Sequence, residues 1–314
     1  MSRRILILGA AGRLGHAAGE AFRLAGWRVT SLVRPGAAHR APRGTKVVET
    51  IDRREAIEAA LGVDVVLHAL NPPFKNWRHM ALPHAYAAIE AAETAGATLL
   101  FPGNLYNYGA GMPSVIDEAT PMLPTTRKGN IRVEIEQRMQ EASERGMRTI
   151  ILRAGDFFGS GRGSWFDLVI ARQLKRNEVT YPGPLDVVHE WAYVPDLAAA
   201  MVRLAEARER LGVSETFGFP GHAVTGRALI DAIATAIGRD SRDLRVRKMQ
   251  WWMIKVLAPF FTLPRELAEL DYLWHVPHRI SGDKLAATIG AVPHTPLETA
   301  VKRAIRELGD GGVK

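Results

Sequence analysis

A chain of 314 residues, of which 47% are hydrophobic, can bury a full core, which excludes a wholly disordered protein. Its 41 basic and 33 acidic residues give a net charge of +8, but the basic residues are dispersed and are not interleaved with aromatic ones. This pattern argues against nucleic-acid binding and favours a field that attracts anionic ligands.

With no cysteine, the chain has no disulfide, no thiolate nucleophile and no cysteine metal site. Because there is no run of about twenty apolar residues, no membrane-spanning helix is predicted. The first four residues lead into a short apolar run that is too brief for a signal-peptide core, so we expect a cytoplasmic chain.

Short apolar runs alternate with helical patterns through the first half of the chain. The predicted strands cover residues 4–8, 28–33, 46–49, 63–68, 98–102 and 149–153, and the predicted helices cover residues 14–25, 54–61, 80–95 and 131–145. Continuous apolar strands separated by helices are typical of a parallel sheet that is covered on both faces. The sequence therefore predicts an α/β fold with a doubly wound, Rossmann-type parallel sheet.

After residue 155 the alternation is less regular. Residues 165–176 are predicted as a helix and residues 187–193 as an extended segment. The further predicted helices cover residues 196–208, 225–237, 281–289 and 296–308. We expect this half to form a smaller C-terminal substrate lobe that closes over the mouth of the sheet.

The first predicted strand runs into a glycine-rich turn and then into a helix. Residues 9–15 read Gly-Ala-Ala-Gly-Arg-Leu-Gly, which is a G-x-x-G-x-x-G spacing. Gly9 permits a tight turn, Gly12 lets the backbone approach a pyrophosphate, and Gly15 allows close contact between helix and strand. The N–H groups at the start of the helix would bind the phosphates of a dinucleotide. The predicted phosphate-binding residues are Gly9, Ala11, Gly12, Arg13, Leu14 and Gly15.

This motif suggests a division of the chain into two parts. Residues 1–164 are predicted to form the dinucleotide-binding domain, to which residues 187–208 return. Residues 165–186 and 209–314 are predicted to form the smaller substrate-binding and lid lobe.

The end of the second predicted strand indicates which dinucleotide binds. NAD-preferring sites place an acidic residue there for the ribose 2′-hydroxyl, but no Asp or Glu occurs between Glu20 and Glu49. Arg34 follows the strand directly, and a guanidinium suits a 2′-phosphate. NADP(H) is therefore favoured over NAD(H), with Arg13 as a second contact; the alternative is that either arginine is only a solvated surface charge.

Two further strand ends contribute to the predicted site. Asp52 follows the third strand and could accept a hydrogen bond from the adenine amino group, but it serves equally well as the N-cap of the next helix. Ala69, Leu70 and Asn71 follow the fourth strand at the carboxyl edge, where ligands bind in such sheets. His68, by contrast, is expected to point into the sheet packing.

With these residues in view, the chain resembles the extended short-chain dehydrogenases/reductases of the NAD-dependent epimerase/dehydratase type. Besides the glycine turn, the matching segments are residues 63–69, 152–161, 193–198 and 281–290, and they lie in the family's order along nearly the whole chain. The resemblance implies a nicotinamide dinucleotide cofactor. It also implies a homodimer that packs through the helices at residues 80–95 and 131–145.

The resemblance further implies where catalytic residues would lie. Members of the family use a Ser or Thr after the fifth strand and a Tyr-x-x-x-Lys on the next helix, with the tyrosine as acid or base. Here those positions hold Asn104, Lys128 and Arg132, so the family's usual triad is absent. Tyr106 is the candidate to replace the missing acid, since Tyr108 matches a residue that usually only packs.

The replacements have chemistry of their own. Asn104 could polarise a substrate oxygen but cannot shuttle a proton, and Arg132 could hold ribose hydroxyls or an anionic substrate group. Lys128, partly desolvated beside Arg132, could donate a proton. The alternative is that Lys128 pairs with a phosphate or a carboxylate. Lys128 and Arg132 are therefore candidates for both catalysis and cofactor binding.

These residues support three hypotheses on function. The first is an NADP(H)-dependent oxidoreductase of the extended type, which moves a hydride to or from a small carbonyl or sugar-like substrate. The second is a catalytically silent NADP(H)-binding sensor or scaffold, because the tyrosine and lysine are missing. The third is a nucleotide-sugar epimerase or dehydratase, which must first oxidise a hydroxyl and so needs a competent base.

Other motifs are less specific. Residues 250–261 form the most apolar stretch, which could be a membrane-surface helix but by its proline and position favours a lid over the pocket. The histidines at positions 275, 278 and 294 have neither helical spacing nor carboxylate partners, so no metal site is predicted. Asp186, His189 and Glu190 are loop or edge residues that could contact a polar substrate, with Glu190 as a candidate base.

Overall fold

The computed structural model describes residues 3–73 and 76–310. In chain order the strands are β1 (Arg4–Leu8), β2 (Arg28–Val33), β3 (Lys46–Glu49), β4 (Val65–His68), β5 (Thr98–Gly103), β6 (Val115–Ile116), β7 (Thr149–Arg153), β8 (Asp156–Phe158), β9 (Glu178–Tyr181), β10 (Val188–Tyr193), β11 (Ser214–Gly218), β12 (His222–Thr225), β13 (Arg245–Lys248) and β14 (Arg279–Ile280). The helices are α1 (Arg13–Leu24), α2 (Arg53–Ala60), α3 (Trp77–Ala95), α4 (Arg127–Glu144), α5 (Val194–Ala207), α6 (Gly226–Ala236), α7 (Trp251–Leu257), α8 (Thr262–Ala268), α9 (Asp283–Ile289) and α10 (Leu297–Asp310).

Seven of these strands form one parallel sheet in the order β11-β7-β5-β4-β1-β2-β3. The predicted doubly wound Rossmann-type sheet is therefore confirmed, and six of its strands lie where the apolar runs predicted them. The edge strand β11 was not predicted from the sequence. Its first three residues, Ser214, Glu215 and Thr216, are exposed or half-buried, so they carry no apolar signal.

The continuous apolar strands follow from burial on both faces. In β1, Ile5 and Ile7 belong to the apolar cluster that includes residues of α1 and α5. Leu6 and Leu8 belong to the opposite cluster, which includes residues of α2 and α3. Because alternate side chains point to opposite faces of a strand, every position of β1 after Arg4 must be apolar.

Three small sheets lie beyond the large one, in the orders β12-β10-β8, β13-β9 and β14-β6. They surround an apolar cluster rich in large aromatic residues, among them Trp165, Trp191 and Trp274. Residues 165–176 do not form the single predicted helix; two short turns, Phe166–Ile170 and Leu174–Arg176, replace it. The second turn ends at Asn177, whose φ of 53° is left-handed and stops helical continuation. Residues 214–218, which the expected division gave to the smaller lobe, form the edge of the large sheet.

The most apolar stretch of the sequence forms α7 and the turn before α8. Trp251 is buried and donates from Nε1 to the Pro182 carbonyl oxygen at 2.5 Å. Most other large apolar residues of the stretch are exposed, up to 77% for Phe260. Lys255 and Ala258 of the same stretch line a pocket together with Arg265 and Ala268, and the expected lid role stays a prediction. No helix within the described ranges is both long and apolar enough to cross a bilayer.

Candidate functional site

β1 leads into α1 through the glycine turn of residues 9–15. Gly9 has a φ of 89°, which favours glycine, and a Cβ there would lie 3.0 Å from the Ala69 backbone. At Gly15 a Cβ would lie 2.3 Å from the Gly9 carbonyl oxygen, so the helix packs on the turn at a distance that only glycine allows. Gly12, the N-cap of α1, has no side chain to satisfy the N–H groups of the first turn. Those amides and the positive end of a 12-residue helix fit the pyrophosphate of a dinucleotide.

The two arginines predicted for the cofactor take different positions. Arg34 is exposed directly after β2. Arg13 turns inward, where its Nη1 donates to the Gly159 carbonyl oxygen at 3.3 Å and burial lowers the pKa of the guanidinium. Arg13 therefore ties the glycine turn to the loop after β8.

The other predicted cofactor residues follow β3 and β4, which lie on either side of β1 and β2 in the sheet. Asp52 caps α2, since its Oδ1 accepts from the backbone N–H groups of Arg54 at 2.8 Å and Glu55 at 3.1 Å. Ala69 and Leu70 form the wall against which Gly9 packs. Asn71 accepts through Oδ1 from the indole Nε1 of Trp77 at 3.1 Å, which joins the end of β4 to the start of α3.

The segment after β5 carries Asn104 and Tyr106. Asn104 Oδ1 accepts from the Tyr106 backbone N–H at 3.1 Å, so its amide nitrogen is the atom left to donate to a ligand. Burial and then the negative charge of Asp156 raise the pKa of Tyr106, while the charge of Arg132 opposes them. The Tyr106 hydroxyl therefore stays protonated at neutral pH. The structure brings Tyr106, Arg132 and Asp156 into one region.

Arg132 lies between two aromatic rings. Its guanidinium carbon is 5.5 Å from the ring centroid of Trp77 and 5.4 Å from that of Phe101, which are cation–π distances. Nη1 donates to the Pro102 carbonyl oxygen at 3.4 Å, and burial lowers the pKa of the group. The Nε atom is buried without a hydrogen-bond partner among the described residues.

Lys128, one turn earlier on α4, lies in a buried cluster of charges. Its Nζ pairs with the Glu266 carboxylate and also donates to the Glu266 carbonyl oxygen at 3.1 Å, and Glu269 Oε2 lies 3.6 Å away. The side chains of Lys128 and Glu266 are only 2% and 3% exposed. Because Glu266 belongs to α8 and Glu269 follows it, these contacts fasten α8 to the start of α4.

A second buried charge pair lies beneath the segment after β5. Arg153 pairs with the Glu136 carboxylate, which also accepts from Asn107 Nδ2 at 2.9 Å. The Arg153 guanidinium carbon lies 5.5 Å from the ring centroid of Tyr108. Burial raises the pKa of Tyr108 to about 12. Tyr108 is thus part of the packing under the site.

Sequence reasoning missed Asp156, which follows β7 at the carboxyl edge of the sheet. Its Oδ2 lies 3.0 Å from His189 Nε2 on β10. No motif marks such a pair, because the two residues stand 33 positions apart and meet only when β8 pairs with β10.

Glu190, which sequence reasoning placed at an edge, is buried. Its Oε1 accepts from the Gly221 backbone N–H at 2.8 Å, and its Oε2 accepts from that of Ile280 at 3.0 Å. Burial raises the pKa of this carboxyl to about 7. Glu190 therefore joins segments of the smaller lobe, with both carboxylate oxygens engaged by backbone amides.

Because His68 is buried, the free energy of unfolding should depend on pH. His68 stacks on Phe101, with centroids 5.4 Å apart, and burial lowers its pKa to about 3. An unfolded histidine titrates near pH 6.5, so the unfolded chain binds an extra proton below that pH and stability falls as the pH falls. Between about pH 7.5 and pH 5 this one group should cost about 2 kcal/mol of unfolding free energy.

Urea unfolding at the two pH values measures that loss. In His68→Gln the loss should be smaller than in the wild type by the stated amount. An equal loss in both proteins would show that His68 takes up its proton in the folded state.

The chain is similar in sequence to a known protein family and to a curated protein. Residues 5–218 match the model of the NAD dependent epimerase/dehydratase family. A curated Streptomyces protein, the 3-diazoavenalumate denitrifying reductase, is 28% identical over 224 residues, which are 65% of this chain and 72% of that protein.

Two solved structures illustrate the fold similarity. A putative epimerase from Burkholderia cenocepacia matches with a TM-score of 0.75 and 19% identity over 97% of each chain. MoeE5 in complex with UDP-glucose and NAD matches with a TM-score of 0.74 and 18% identity over 99% of each chain.

The resemblance drawn from the sequence motifs is thereby confirmed. The residues matched by the family model run from β1 through β11 and include the glycine turn and every strand of the large sheet. They make up more than half of the chain. The chain belongs to the NAD-dependent epimerase/dehydratase family.

Proposed function

We propose that this protein is an NADP(H)-dependent reductase of small carbonyl compounds. The observation that carries the proposal is the glycine turn, where Gly9 and Gly15 have no room for a Cβ and the first turn of α1 has no side-chain cap. A reduced dinucleotide bound there would supply a hydride. The 28% identity to a protein named as a reductase supports reduction as the direction.

NADP(H) is favoured by the exposed position of Arg34. The cation stands directly after β2, where a 2′-phosphate would lie in a Rossmann-type site. Arg13 is engaged with Gly159 and contributes positive charge from the inner side. Arg34 is therefore the residue that we assign to cofactor selection.

The chain's own donors would polarise the substrate oxygen. Asn104 has its Oδ1 engaged and its amide nitrogen left to donate, and the Tyr106 hydroxyl is protonated and lies in the same region. Arg132, held between two rings, keeps a positive charge beside them. We propose that Lys128 holds α8 against the start of α4, because its ammonium is bound by Glu266.

A silent NADP(H) sensor is the second candidate, and the pairing of Lys128 favours it. If Lys128 fastens α8, the position that aligns with the family's tyrosine holds no proton donor. The nucleotide-sugar hypothesis is weaker for the same reason, since oxidising a hydroxyl needs a base at that position. Turnover separates the first two candidates.

The test is NADPH oxidation against a panel of neutral aromatic aldehydes and quinones. We expect turnover with NADPH, and Arg34→Asp should weaken NADPH binding by about 10- to 100-fold while NADH binding changes little, because one charge-assisted contact is lost. Arg28→Asp, an exposed cation at the other end of β2, is the matched control. NADPH binding without turnover on any member of the panel would favour the sensor.

A further inference from the structure

His189 has both ring nitrogens directed at hydrogen-bond acceptors. Nδ1 lies 3.2 Å from the Leu273 carbonyl oxygen, and Nε2 lies 3.0 Å from Asp156 Oδ2. A carbonyl oxygen can only accept, so Nδ1 carries a proton. A carboxylate also only accepts, so the contact between Nε2 and Asp156 needs a second proton. The pair therefore holds one proton more than a neutral histidine would have.

The surroundings of the ring suit an imidazolium. The ring stacks on Trp274 with centroids 4.3 Å apart and planes 7° apart, which places its charge over an aromatic face. His278 lies edge-on with its centroid 4.7 Å away, and it donates from Nδ1 to the Val276 carbonyl oxygen at 2.8 Å. Burial and then the charge of His189 lower the pKa of His278 to about 3, so His278 is the neutral neighbour.

Asp156 links this buried proton to the candidate site. The His189 side chain is 2% exposed and that of Asp156 is 16% exposed, so only the carboxylate can reach a ligand. Asp156 Oδ1 makes no hydrogen bond to any residue in the described ranges. The Tyr272 hydroxyl is likewise buried without a partner among those residues, and the charge of Asp156 adds to burial in raising its pKa.

Three tyrosines and one arginine are close enough to Asp156 for its charge to act on their pKa values. Burial and then the Asp156 charge raise the pKa of Tyr106, and the same two causes raise that of Tyr181. The titratable and charged groups around the pair are thus Arg13, Tyr106, Tyr181, Tyr272 and His278.

We propose that Asp156 and His189 form the proton source of the reductase, with Asp156 as the residue that contacts the substrate and His189 as its charged partner. The proposal rests on the function proposed above and names a proton donor that lies outside the family's tyrosine position. The substrate class is that of the proposed function, a small carbonyl compound.

The proton transfer balances within the pair. The N–H bond of His189 Nε2 breaks and an O–H bond forms on the Asp156 carboxylate, which leaves a neutral histidine and a neutral carboxylic acid. After the carboxyl group turns, that acid gives the same proton to the substrate oxygen as the oxygen gains negative charge, and Asp156 returns to a carboxylate. A new O–H bond forms on the product, and its electron pair comes from the oxygen. One proton taken up from the buffer then restores the imidazolium of His189 through Asp156, which is the more exposed member of the pair.

Nuclear magnetic resonance of protein with ¹⁵N-labelled histidine tests the resting state without a substrate. His189 signals are assigned by their loss in His189→Gln. We expect both ring nitrogens of His189 to carry protons at neutral pH, and Nε2 to lose its proton in Asp156→Asn. His278 serves as the internal control, with one unprotonated ring nitrogen in both proteins. An unprotonated Nε2 on His189 in the wild type would overturn the proposal.

Turnover tests the catalytic part. With phenanthrenequinone as probe, Asp156→Asn should lower kcat by about 100-fold or more, with the Kd for NADPH and the thermal midpoint close to wild type. An unchanged kcat would overturn the role of Asp156. A thermal midpoint well below that of the wild type would overturn it too, because the loss of kcat would then reflect lost folding. If the wild type reduces no carbonyl compound, the proposed function fails. Protonation of both ring nitrogens of His189 would then show only an ion pair with Asp156.

Discussion

Replacing Lys128 by methionine should lower the free energy of unfolding by about 3–5 kcal/mol, which is a large part of the stability of most domains. The variant leaves Glu266 buried without its counter-charge, and that carboxylate is only 3% exposed. The remaining neighbour, Glu269, is also acidic and makes the site worse for a lone anion. Urea denaturation followed by tryptophan fluorescence measures the change.

Two further variants separate the lost pairing from lost packing. In Lys128→Met/Glu266→Leu most of the stability should return, because an apolar pair can replace a buried ion pair at little cost. Arg138→Met breaks a pair with Glu141 in which the two side chains are 48% and 51% exposed, and it should leave the free energy of unfolding close to the wild-type value. A Lys128→Met protein as stable as the Arg138→Met protein would contradict the buried contact.

The second large effect is expected at the glycine turn. Gly15→Ala should weaken dinucleotide binding by about 100-fold or more, because a Cβ 2.3 Å from the Gly9 carbonyl oxygen must push α1 away from the turn. The backbone amides would then no longer converge on the phosphates. Calorimetric titration with NADPH measures the loss.

Gly12→Ala separates binding from folding. There the new Cβ meets the Gly9 oxygen at 3.2 Å, which the fold can absorb with a small shift. In a Rossmann-type turn, however, this glycine is the one whose backbone approaches the pyrophosphate, so the added carbon should block binding. We expect lost binding with a nearly unchanged thermal midpoint. Gly111→Ala, where no atom lies within 4 Å of the added carbon, should change neither quantity. NADPH binding of wild-type strength in Gly15→Ala would remove the turn from the site.

The sequence was informative where the structure depends on local pattern. Six of the seven strands of the large sheet, and the turn after β1, follow from short apolar runs and glycine spacing, because strands buried on both faces admit few polar residues. The family assignment followed from the same local motifs.

Contacts between distant segments could not be predicted in this way. Lys128 meets Glu266 at a separation of 138 residues, and nothing near Lys128 in the sequence indicates a carboxylate partner. The edge strand β11 begins with Ser214, Glu215 and Thr216, which are exposed or half-buried and so carry no apolar signal. Asp156 has no motif of its own and becomes a candidate only through the position of His189.

The proposed function depends above all on the binding of a dinucleotide at the turn between β1 and α1. Its most direct test is calorimetric titration of the unmodified chain, first with NADPH and then with NADH. One binding site with tighter binding of NADPH is the expected result. Absence of heat with both dinucleotides, at concentrations up to about millimolar, where even a weak complex forms, would contradict it.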